Sequence, residues 1–381
     1  MLSRVLLVNK MKRVLVLGGT GAMGRYLKNE LLELGYEVVI TTRQNRSGGG
    51  MLSYICGNAH DMEFLKRVLK NVKPDAIVDF MSYATEEFCA RVDLLLSATS
   101  QYIFLSSYRI FNDACPLVET SPRLLDTIKD QDYLKTDEYA LSKARCEDIL
   151  RASSRRNWTI VRPSIIYSKM CFKFGCLEAN TVCYRAVRGL PVIMPSEMLA
   201  KQTTLTWGGD AAKMIARLIF NRKAYGEDFN IATSEHRTWG EIAGIYSHII
   251  GLKVKEVSLE DYCRICNPKQ VMYDRMFTRV MNNTKVLEAT GLKQTEFKTP
   301  EQGLAEELED CREEMPMLVP YVGQMAWMDR ICGTVCIPKT SLKDCVQYLR
   351  IRFSAVNILA FAALCPKCIW MKIRGLVRHS L

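Results

Sequence analysis

The chain has 381 residues, of which 48% are hydrophobic and 24% are charged, and this composition is typical of a globular protein with a sizeable core. Its 15 cysteines are scattered without regular spacing, which excludes a disulfide scaffold and indicates reduced thiols. The net charge of +11 is uneven, because the segment 338–381 alone contributes +7. A basic segment on a nearly neutral body argues against nucleic-acid binding and indicates a local surface partner.

Strands and helices alternate over the first 162 residues. The apolar run Lys12–Leu17 predicts a buried strand, and apolar residues at helical spacing predict a helix over Ala22–Leu34. Further strands are predicted at Glu37–Thr41, Ala76–Phe80, Gln101–Leu105 and Trp158–Val161, with helices at Met62–Leu69, Glu86–Ala98 and Asp137–Ala152. This alternation predicts right-handed crossovers and an α/β fold with a doubly wound parallel sheet.

The pattern loosens after Arg162 and Pro163. Helices are predicted at Glu178–Arg188, Asp210–Asn221, Trp239–Ile250 and Pro300–Glu314, and a strand at Phe229–Ile231. We expect 163–315 to form a smaller, mixed lobe over the carboxyl edge of the sheet, and to return strands to that sheet. The first ten residues are too short and too weakly apolar for a secretory signal, so 1–10 is predicted to be an extension.

The segment 316–381 is predicted to be a basic, apolar tail. Phe353–Leu364 contains no charged residue and is followed by Pro366, and basic residues flank it on both sides. The stretch is too short for a convincing membrane span. Two interpretations stay open, namely an interfacial helix on an anionic membrane surface and a helix packed on the body or on a second subunit.

A glycine-rich turn follows the first predicted strand. It reads Gly18-Gly19-Thr20-Gly21-Ala22-Met23-Gly24 and opens the first predicted helix. Glycines allow a tight turn and close approach of the backbone to a pyrophosphate, and the amino end of a helix favours anions. The strand–turn–helix context therefore predicts dinucleotide binding by this turn and a dinucleotide-binding domain over 11–162.

The residues at the end of the second predicted strand bear on the choice between NAD and NADP. An acidic residue there usually binds the ribose hydroxyls of NAD, but this chain has Thr41-Thr42-Arg43-Gln44-Asn45-Arg46. Arg43 or Arg46 can neutralise a 2′-phosphate, so NADP is favoured slightly over NAD. The alternative is that these arginines are solvated loop cations.

Tyr139 and Lys143 lie four residues apart on a predicted helix and so share one face. A lysine ammonium close to a phenol favours the phenolate, which makes Tyr139 a candidate general acid/base for alcohol–ketone interconversion. Lys143 can also hold the nicotinamide ribose. Ser106 and Ser107 end the fourth predicted strand, at the edge where such sheets bind ligands, and a hydroxyl there can bind the substrate oxygen.

These motifs together resemble the extended short-chain dehydrogenase/reductase superfamily, specifically its NAD-dependent epimerase/dehydratase family that acts on nucleotide sugars. The resemblance covers about Met11 to Glu309 and includes Phe104–Phe111, Tyr139–Lys143 and Val161–Tyr167. It implies a Rossmann-type sheet and a homodimer formed through the helix that carries Tyr139. It also places the catalytic hydroxyl on Ser107. The resemblance implies cofactor contacts at Asn58, Ala59, Arg162 and Pro163, beside those predicted at Gly18, Thr20, Gly21, Ala22, Met23, Gly24, Thr42, Arg43, Tyr139 and Lys143.

The chain departs from the family in the residues that follow Ser107. The 4,6-dehydratases carry an Asp-Glu pair there, whereas this chain has Tyr108 and Arg109, so dehydration is disfavoured. Tyr108 and Arg275 are candidate substrate contacts, and the alternative for Arg275 is a surface helix cation. The late acidic motif of the family is matched only in part, by Thr206-Trp-Gly-Gly-Asp210.

The sequence thus predicts a nucleotide-sugar epimerase or reductase that uses Ser107, Tyr139 and Lys143. The competing class is a dinucleotide-binding scaffold or redox sensor without turnover, associated or not with a membrane surface. No metal site is predicted, because the pairs Cys332/Cys336 and Cys365/Cys368 are far apart and separated by an apolar stretch. A cytoplasmic location is expected, either free or at the inner face of the membrane.

Overall fold

A computed structural model of the chain describes residues 11–337 and 341–353. These residues form two compact units. The first unit comprises 11–168, Gln202–Arg237 and Phe277–Leu304, and the second comprises Lys169–Lys201, Thr238–Met276 and the described part of 305–353. The two units alternate along the sequence, so neither is a single continuous stretch of chain.

The strands and helices have the following bounds. The strands are β1 Arg13–Leu17, β2 Glu37–Thr42, β3 Leu52–Cys56, β4 Ala76–Asp79, β5 Gln101–Leu105, β6 Trp158–Pro163, β7 Ile165–Tyr167, β8 Lys173–Phe174, β9 Leu177–Glu178, β10 Pro191–Pro195, β11 Gln202–Thr203, β12 Leu205–Trp207, β13 Glu227–Ile231, β14 Arg237–Thr238 and β15 Lys253–Val257. The helices are α1 Gly24–Glu33, α2 Met62–Val72, α3 Thr85–Cys89, α4 Val92–Ser97, α5 Leu124–Thr127, α6 Gln131–Leu134, α7 Tyr139–Ala152, α8 Ala179–Ala186, α9 Ser196–Leu199, α10 Gly208–Leu218, α11 Trp239–Ile250, α12 Leu259–Cys263, α13 Pro268–Gln270, α14 Thr284–Thr290, α15 Pro300–Asp310, α16 Val322–Cys332 and α17 Leu342–Arg352.

The first unit is built on a seven-stranded sheet in the order β13-β6-β5-β4-β1-β2-β3, and every pair of neighbours in it is parallel. Successive side chains of a strand face opposite sides of the sheet, and β1 shows this directly. Val14 and Val16 belong to one apolar cluster, and Leu15 and Leu17 belong to the other. Both faces of the sheet are therefore covered, which confirms the predicted doubly wound α/β fold.

Three predicted elements differ from the observed ones. The sequence analysis missed β3, a strand at the sheet edge whose residues are only partly buried and so lack a clear apolar pattern. The predicted helix Glu86–Ala98 is two helices, α3 and α4, because Arg91 at φ −122° leaves the helical region. The predicted helix Pro300–Glu314 ends at Asp310 and is followed by a 3₁₀ turn over Met315–Met317.

The second unit has its own core around Tyr184, Met325, Ala326 and Tyr348. A buried ion pair joins two of its helices, with Arg185 of α8 lying 2.9 Å from Asp329 of α16. Of the described residues, no helix combines the length and the apolar character that a bilayer crossing requires. Beyond Phe353, the predicted apolar tail lies outside the described residues.

Asp210 makes the stability of the first unit depend on pH. Its Oδ2 accepts a hydrogen bond from the backbone amide of Lys298 at 2.9 Å, and burial raises the pKa of the carboxyl to about 6 from 3.8. A carboxyl whose pKa is higher in the folded state loses its stabilising contribution as pH rises through that folded value.

We therefore predict that the wild type loses up to about 3 kcal/mol relative to Asp210→Asn between pH 4 and pH 7. Denaturant unfolding of both proteins across this range measures the difference. A difference in unfolding free energy that stays constant with pH would contradict the prediction.

Candidate active site

The glycine turn between β1 and α1 requires glycine at two positions. Gly18 has φ +67°, and its amide donates a hydrogen bond to Thr41 Oγ1 at 3.0 Å. A Cβ on Gly24 would lie 2.3 Å from the carbonyl oxygen of Gly19, so only glycine allows this close packing. The helix begins at Gly24 rather than at the predicted Ala22, and no side chain of the described residues caps its first turn. Within this turn the amides of Arg25 and Tyr26 donate to the carbonyls of Gly21 and Met23, so the attraction of this end for a phosphate comes from the positive end of the helix dipole.

A cleft of about 270 Å³ adjoins this turn in the first unit. It is lined by Gly18, Thr20, Thr41, Thr42, Arg43, Gly57, Asn58, Ala59, His60, Phe80, Met81 and Ser82. Six of the predicted cofactor residues are in this lining, namely Gly18, Thr20, Thr42, Arg43, Asn58 and Ala59. The carboxyl ends of β1, β2 and β4 thus meet at one cleft, which is where open α/β sheets bind their ligands.

The lining contains no carboxylate. Where a dinucleotide-binding sheet often carries an acid, at the end of β2, the chain has the buried hydroxyl of Thr42 and the guanidinium of Arg43. Thr42 Oγ1 accepts a hydrogen bond from the amide of Gln44 at 3.2 Å, which turns the chain after β2. This end of the cleft can therefore bind an anionic group. It has no carboxylate that could accept a hydrogen bond from a ribose hydroxyl.

Arg91 supports one wall of the cleft from behind. Its side chain is 2% exposed and donates to the backbone carbonyls of Ala59 and His60, each at 3.2 Å. It also pairs with Glu87 at 2.7 Å. The sequence analysis missed this residue, because it lay inside a predicted continuous helix and no local motif points to its long-range contacts.

Tyr139 and Lys143 lie one turn apart at the start of α7. The N-cap residue Glu138 accepts a hydrogen bond from the amide of Ala140 at 2.8 Å and so fixes the start of the helix. Lys143 is 2% exposed, and its ammonium donates to the carbonyls of Leu105 at 2.7 Å and Met81 at 3.2 Å. Its Nζ lies 5.9 Å from the centre of the Tyr139 ring, and Tyr139 itself is 37% exposed. A buried cation thus lies close to an accessible phenol.

The buried carboxylate of Asp79, at the end of β4, binds the segment 81–83, and the carbonyl of Met81 in that segment accepts a hydrogen bond from Lys143. Asp79 accepts hydrogen bonds from the amide of Met81 at 2.9 Å, the hydroxyl of Tyr83 at 3.0 Å and the hydroxyl of Tyr102 at 2.8 Å. Burial raises the pKa of both phenols well above the usual value, so both remain protonated donors. The carbonyl of Tyr83 in turn accepts a hydrogen bond from Ser142 of α7 at 2.7 Å. Asp79, which the sequence analysis did not single out, therefore connects β4 to the helix of Tyr139.

Ser107 follows β5 and caps a 3₁₀ turn, where its hydroxyl accepts a hydrogen bond from the amide of Arg109 at 3.2 Å. The hydroxyl of the neighbouring Ser106 is buried and has no hydrogen-bond partner among the described residues. The Cζ of Arg109 lies 5.2 Å from the centre of the Tyr139 ring, and the guanidinium pairs with Glu138 at 2.6 Å. The turn that carries Ser107 therefore packs beside Tyr139. The side-chain cations of Arg109 and Lys143 both lie within 6 Å of the centre of the Tyr139 ring, at 5.2 Å and 5.9 Å.

Other predicted site residues have side chains that the fold already uses. Arg162 is 1% exposed and pairs with Glu147 and Asp228, each at 2.7 Å. Tyr108 is buried, and the guanidinium of Arg279 lies 5.7 Å from its ring centre. In the second unit, Arg275 is buried, pairs with Asp274 and donates to the carbonyl of Gly175 at 2.8 Å. The ligand contacts of these residues, and of Pro163 at the end of β6, stay predictions.

Metal ligation has no support in the part of the chain that the structure describes. Over 11–337 and 341–353, no group of three or more His, Cys, Asp or Glu residues is placed to hold a metal ion. Cys332 and Cys336 are described as free thiols, whereas Cys365 and Cys368 lie outside the described residues.

Comparison with known sequences identifies the family. The profile of the NAD dependent epimerase/dehydratase family matches residues 14–232, which is more than half of the chain. The chain belongs to this family. The matched range extends from β1 to the end of β13, and it includes the glycine turn, the cleft, Ser107, Tyr139 and Lys143. The prediction of an epimerase/dehydratase-family enzyme is thereby confirmed.

Similar proteins include both structural and sequence relatives. The dTDP-glucose 4,6-dehydratase of Bacillus anthracis, solved in complex with NAD, has a TM-score of 0.61 at 16% identity and covers 79% of this chain and 97% of its own. The UDP-glucose 4-epimerase of Thermotoga maritima, solved with UDP-glucose, has a TM-score of 0.58 at 17% identity and covers 80% of this chain and 99% of its own. At these levels of identity, the similarities show that the chain shares the fold of these two proteins.

A curated relative is the chloroplast stem-loop binding protein of 41 kDa b from Arabidopsis thaliana, with 25% identity over 256 residues. The match covers 61% of this chain, and the chain spans 61% of the length of that relative.

Proposed function

We propose that the chain is an NAD(P)-dependent epimerase or reductase of nucleotide sugars, with Ser107, Tyr139 and Lys143 as its catalytic set. The observation that carries the proposal is the position of Lys143, a buried ammonium held by the carbonyls of Met81 and Leu105 below an accessible phenol. Similar solved structures are those of a dTDP-glucose 4,6-dehydratase in complex with NAD and of a UDP-glucose 4-epimerase with UDP-glucose, which supports this class of substrate.

The proposed chemistry assigns one task to each residue. The nicotinamide, when bound, accepts a hydride from a sugar carbon. Tyr139 acts as the general base that takes the proton of the hydroxyl on that carbon, and the ammonium of Lys143 binds the nicotinamide ribose. The hydroxyl of Ser107 donates a hydrogen bond to the substrate oxygen as it becomes a carbonyl. Proton transfer in the reverse direction returns the alcohol.

Dehydration is disfavoured in this proposal. Water elimination needs an acid that faces the sugar, and the residues after Ser107 are Tyr108, which is buried, and Arg109. The carboxylate that pairs with Arg109, that of Glu138, also accepts hydrogen bonds from Tyr133 and Ala140. We therefore expect epimerised or reduced sugars and no dehydrated product.

A panel experiment tests the proposal. The purified chain is incubated with UDP-, dTDP-, GDP- and CDP-sugars in the presence of oxidised or reduced NAD or NADP, and products are identified by mass spectrometry and NMR. We expect conversion of at least one nucleotide sugar. A chain that binds dinucleotide and converts none would instead favour the scaffold function, for which the name of the Arabidopsis relative, a stem-loop binding protein, is the supporting observation.

The cofactor preference is proposed to be NADP, because Arg43 lines the cleft and no carboxylate does. Replacement of Arg43 by Gln removes the charge that would face a 2′-phosphate. We predict that Arg43→Gln weakens NADP binding about tenfold and changes NAD binding less than twofold, from the ~1.5 kcal/mol expected of a charge-assisted hydrogen bond. Calorimetric titration with both cofactors measures this change, and Arg155→Gln, which changes an exposed arginine of the same unit that does not line the cleft, is the matched control. A wild type that binds NAD tighter than NADP would contradict the proposal.

We also propose a homodimer formed through α7 and its neighbouring helices, and a cytoplasmic location. Light scattering of the purified chain tests the first of these proposals, with twice the mass of 43.4 kDa expected for the dimer.

A further inference from the structure

Exposed apolar side chains concentrate near the end of the described chain. The four most exposed large apolar residues of the described chain are Met317, Val319, Tyr321 and Leu342, at 53% to 73%. All of them belong to the second unit. Side chains of this size that are exposed close together in sequence indicate a surface with a partner.

Helix α17 carries one of these exposed residues, Leu342. One of its faces is packed in the second unit, where Cys345 and Tyr348 are buried and the Tyr348 hydroxyl accepts a hydrogen bond from the amide of Cys336 at 2.9 Å. On the outer face, Leu342 and Val346 lie one turn apart and are 62% and 49% exposed. They line a shallow concavity of about 690 Å³ together with Lys343, Gln347, Arg350 and Ile351.

The outer face is positively charged. Neither Lys343 nor Arg350 has an ion-pair partner among the described residues, although both lie beside the two exposed aliphatic side chains. The acid of this helix, Asp344, accepts hydrogen bonds from the backbone and side chain of Ser341 at the N-terminal cap. It is also the only acidic residue between 338 and 381. The cations on this face therefore have no local carboxylate that neutralises them.

The sequence after α17 also combines apolar residues with cations. Residues 353–366 contain no charged side chain and include Phe353, Ile358, Leu359, Phe361 and Leu364. Four cations come next, at Lys367, Lys372, Arg374 and Arg378. Aliphatic side chains with adjacent unpaired cations match the boundary between acyl chains and acidic headgroups of a lipid bilayer.

We propose that the outer face of α17 docks on the surface of an anionic lipid bilayer. Leu342 and Val346 enter the boundary between headgroups and acyl chains, and Lys343 and Arg350 contact acidic headgroups. The chain lies on the membrane and does not cross it through α17, which has 11 residues. The proposal is independent of the catalytic function, because it involves no residue of the proposed catalytic set or of the cleft.

Vesicle co-sedimentation of the full chain tests this surface. The probes are vesicles of phosphatidylcholine alone and vesicles that contain one-third phosphatidylserine, at low and high salt. The variants are Leu342→Gln/Val346→Gln and Lys343→Gln/Arg350→Gln. The matched control is Met272→Gln/Lys253→Gln, which changes an exposed methionine and an exposed lysine elsewhere in the second unit.

We expect the wild type and the control to sediment with the anionic vesicles and not with the neutral ones. Each α17 variant should lower the partition coefficient about tenfold or more, since a lysine or arginine near an anionic surface contributes about 1 kcal/mol. Thermal unfolding and dinucleotide binding should be unchanged in all variants. The proposal would be overturned by equal binding to neutral vesicles, by variants that bind like the wild type, or by binding of a stem-loop RNA through this face without binding to vesicles.

Discussion

Replacement of Tyr139 by Phe is expected to lower kcat by about three orders of magnitude, because it removes the oxygen that we propose to exchange a proton with the sugar hydroxyl. The ring and its contact with Arg109 at 5.2 Å remain, so α7 should keep its position. Dinucleotide affinity should change less than threefold. Steady-state turnover of the best sugar of the panel and calorimetric titration of the cofactor measure the two effects.

Tyr54→Phe is the matched control for this prediction. Tyr54 belongs to β3 in the same unit, is half-buried, and does not line the cleft. Its replacement should leave turnover within twofold of the wild type. Turnover in Tyr139→Phe that equals turnover in Tyr54→Phe would remove Tyr139 from the catalytic set.

Replacement of Glu147 by Gln is expected to destabilise the chain by about 3–5 kcal/mol, because it leaves the buried Arg162 without its main counter-charge. Both side chains are almost fully buried, and Glu147 accepts two hydrogen bonds from Arg162, at 2.7 Å and 2.8 Å. Chemical denaturation measures the loss of unfolding free energy.

The adjacent Asp148 supplies the control for Glu147. Asp148 is 47% exposed and pairs with Arg123 at 2.6 Å, so Asp148→Asn should cost less than about 1 kcal/mol. Equal losses for the two neighbouring variants would show that the ion pair of Arg162 does not stabilise the sheet.

The sheet was predictable from the sequence because its strands are buried on both faces. Continuous apolar runs such as Leu15-Val16-Leu17 identify these strands without tertiary information. The edge strand β3 alternates irregularly between exposed and half-buried residues, and nothing local distinguishes it from a loop. The break at Arg91 was also hidden, because the conformation of that residue follows from its contacts with Ala59 and His60, about 30 residues away.

The candidate site was predictable only where its chemistry is local. The glycine turn and the Tyr139–Lys143 pair depend on spacings of a few residues, and both are readable in one sequence. What holds Lys143 in place is distant in sequence. The carbonyls of Met81 and Leu105, near the ends of two different strands, accept the hydrogen bonds of Lys143, and Asp79 accepts one from the amide of Met81. These contacts form only when the sheet has formed. Arg109 stands beside Tyr139 for the same reason, although the two are 30 residues apart in sequence.

The most direct test of the proposed catalytic role of Tyr139 is the reduction of bound nicotinamide by a nucleotide sugar. The wild type and Tyr139→Phe are loaded with oxidised NAD or NADP, mixed with the sugars of the panel, and followed by the absorbance of reduced nicotinamide in a single turnover. We predict that both proteins bind the dinucleotide and that only the wild type reduces it. A wild type that binds neither dinucleotide, or a variant that reduces nicotinamide as fast as the wild type, would contradict it.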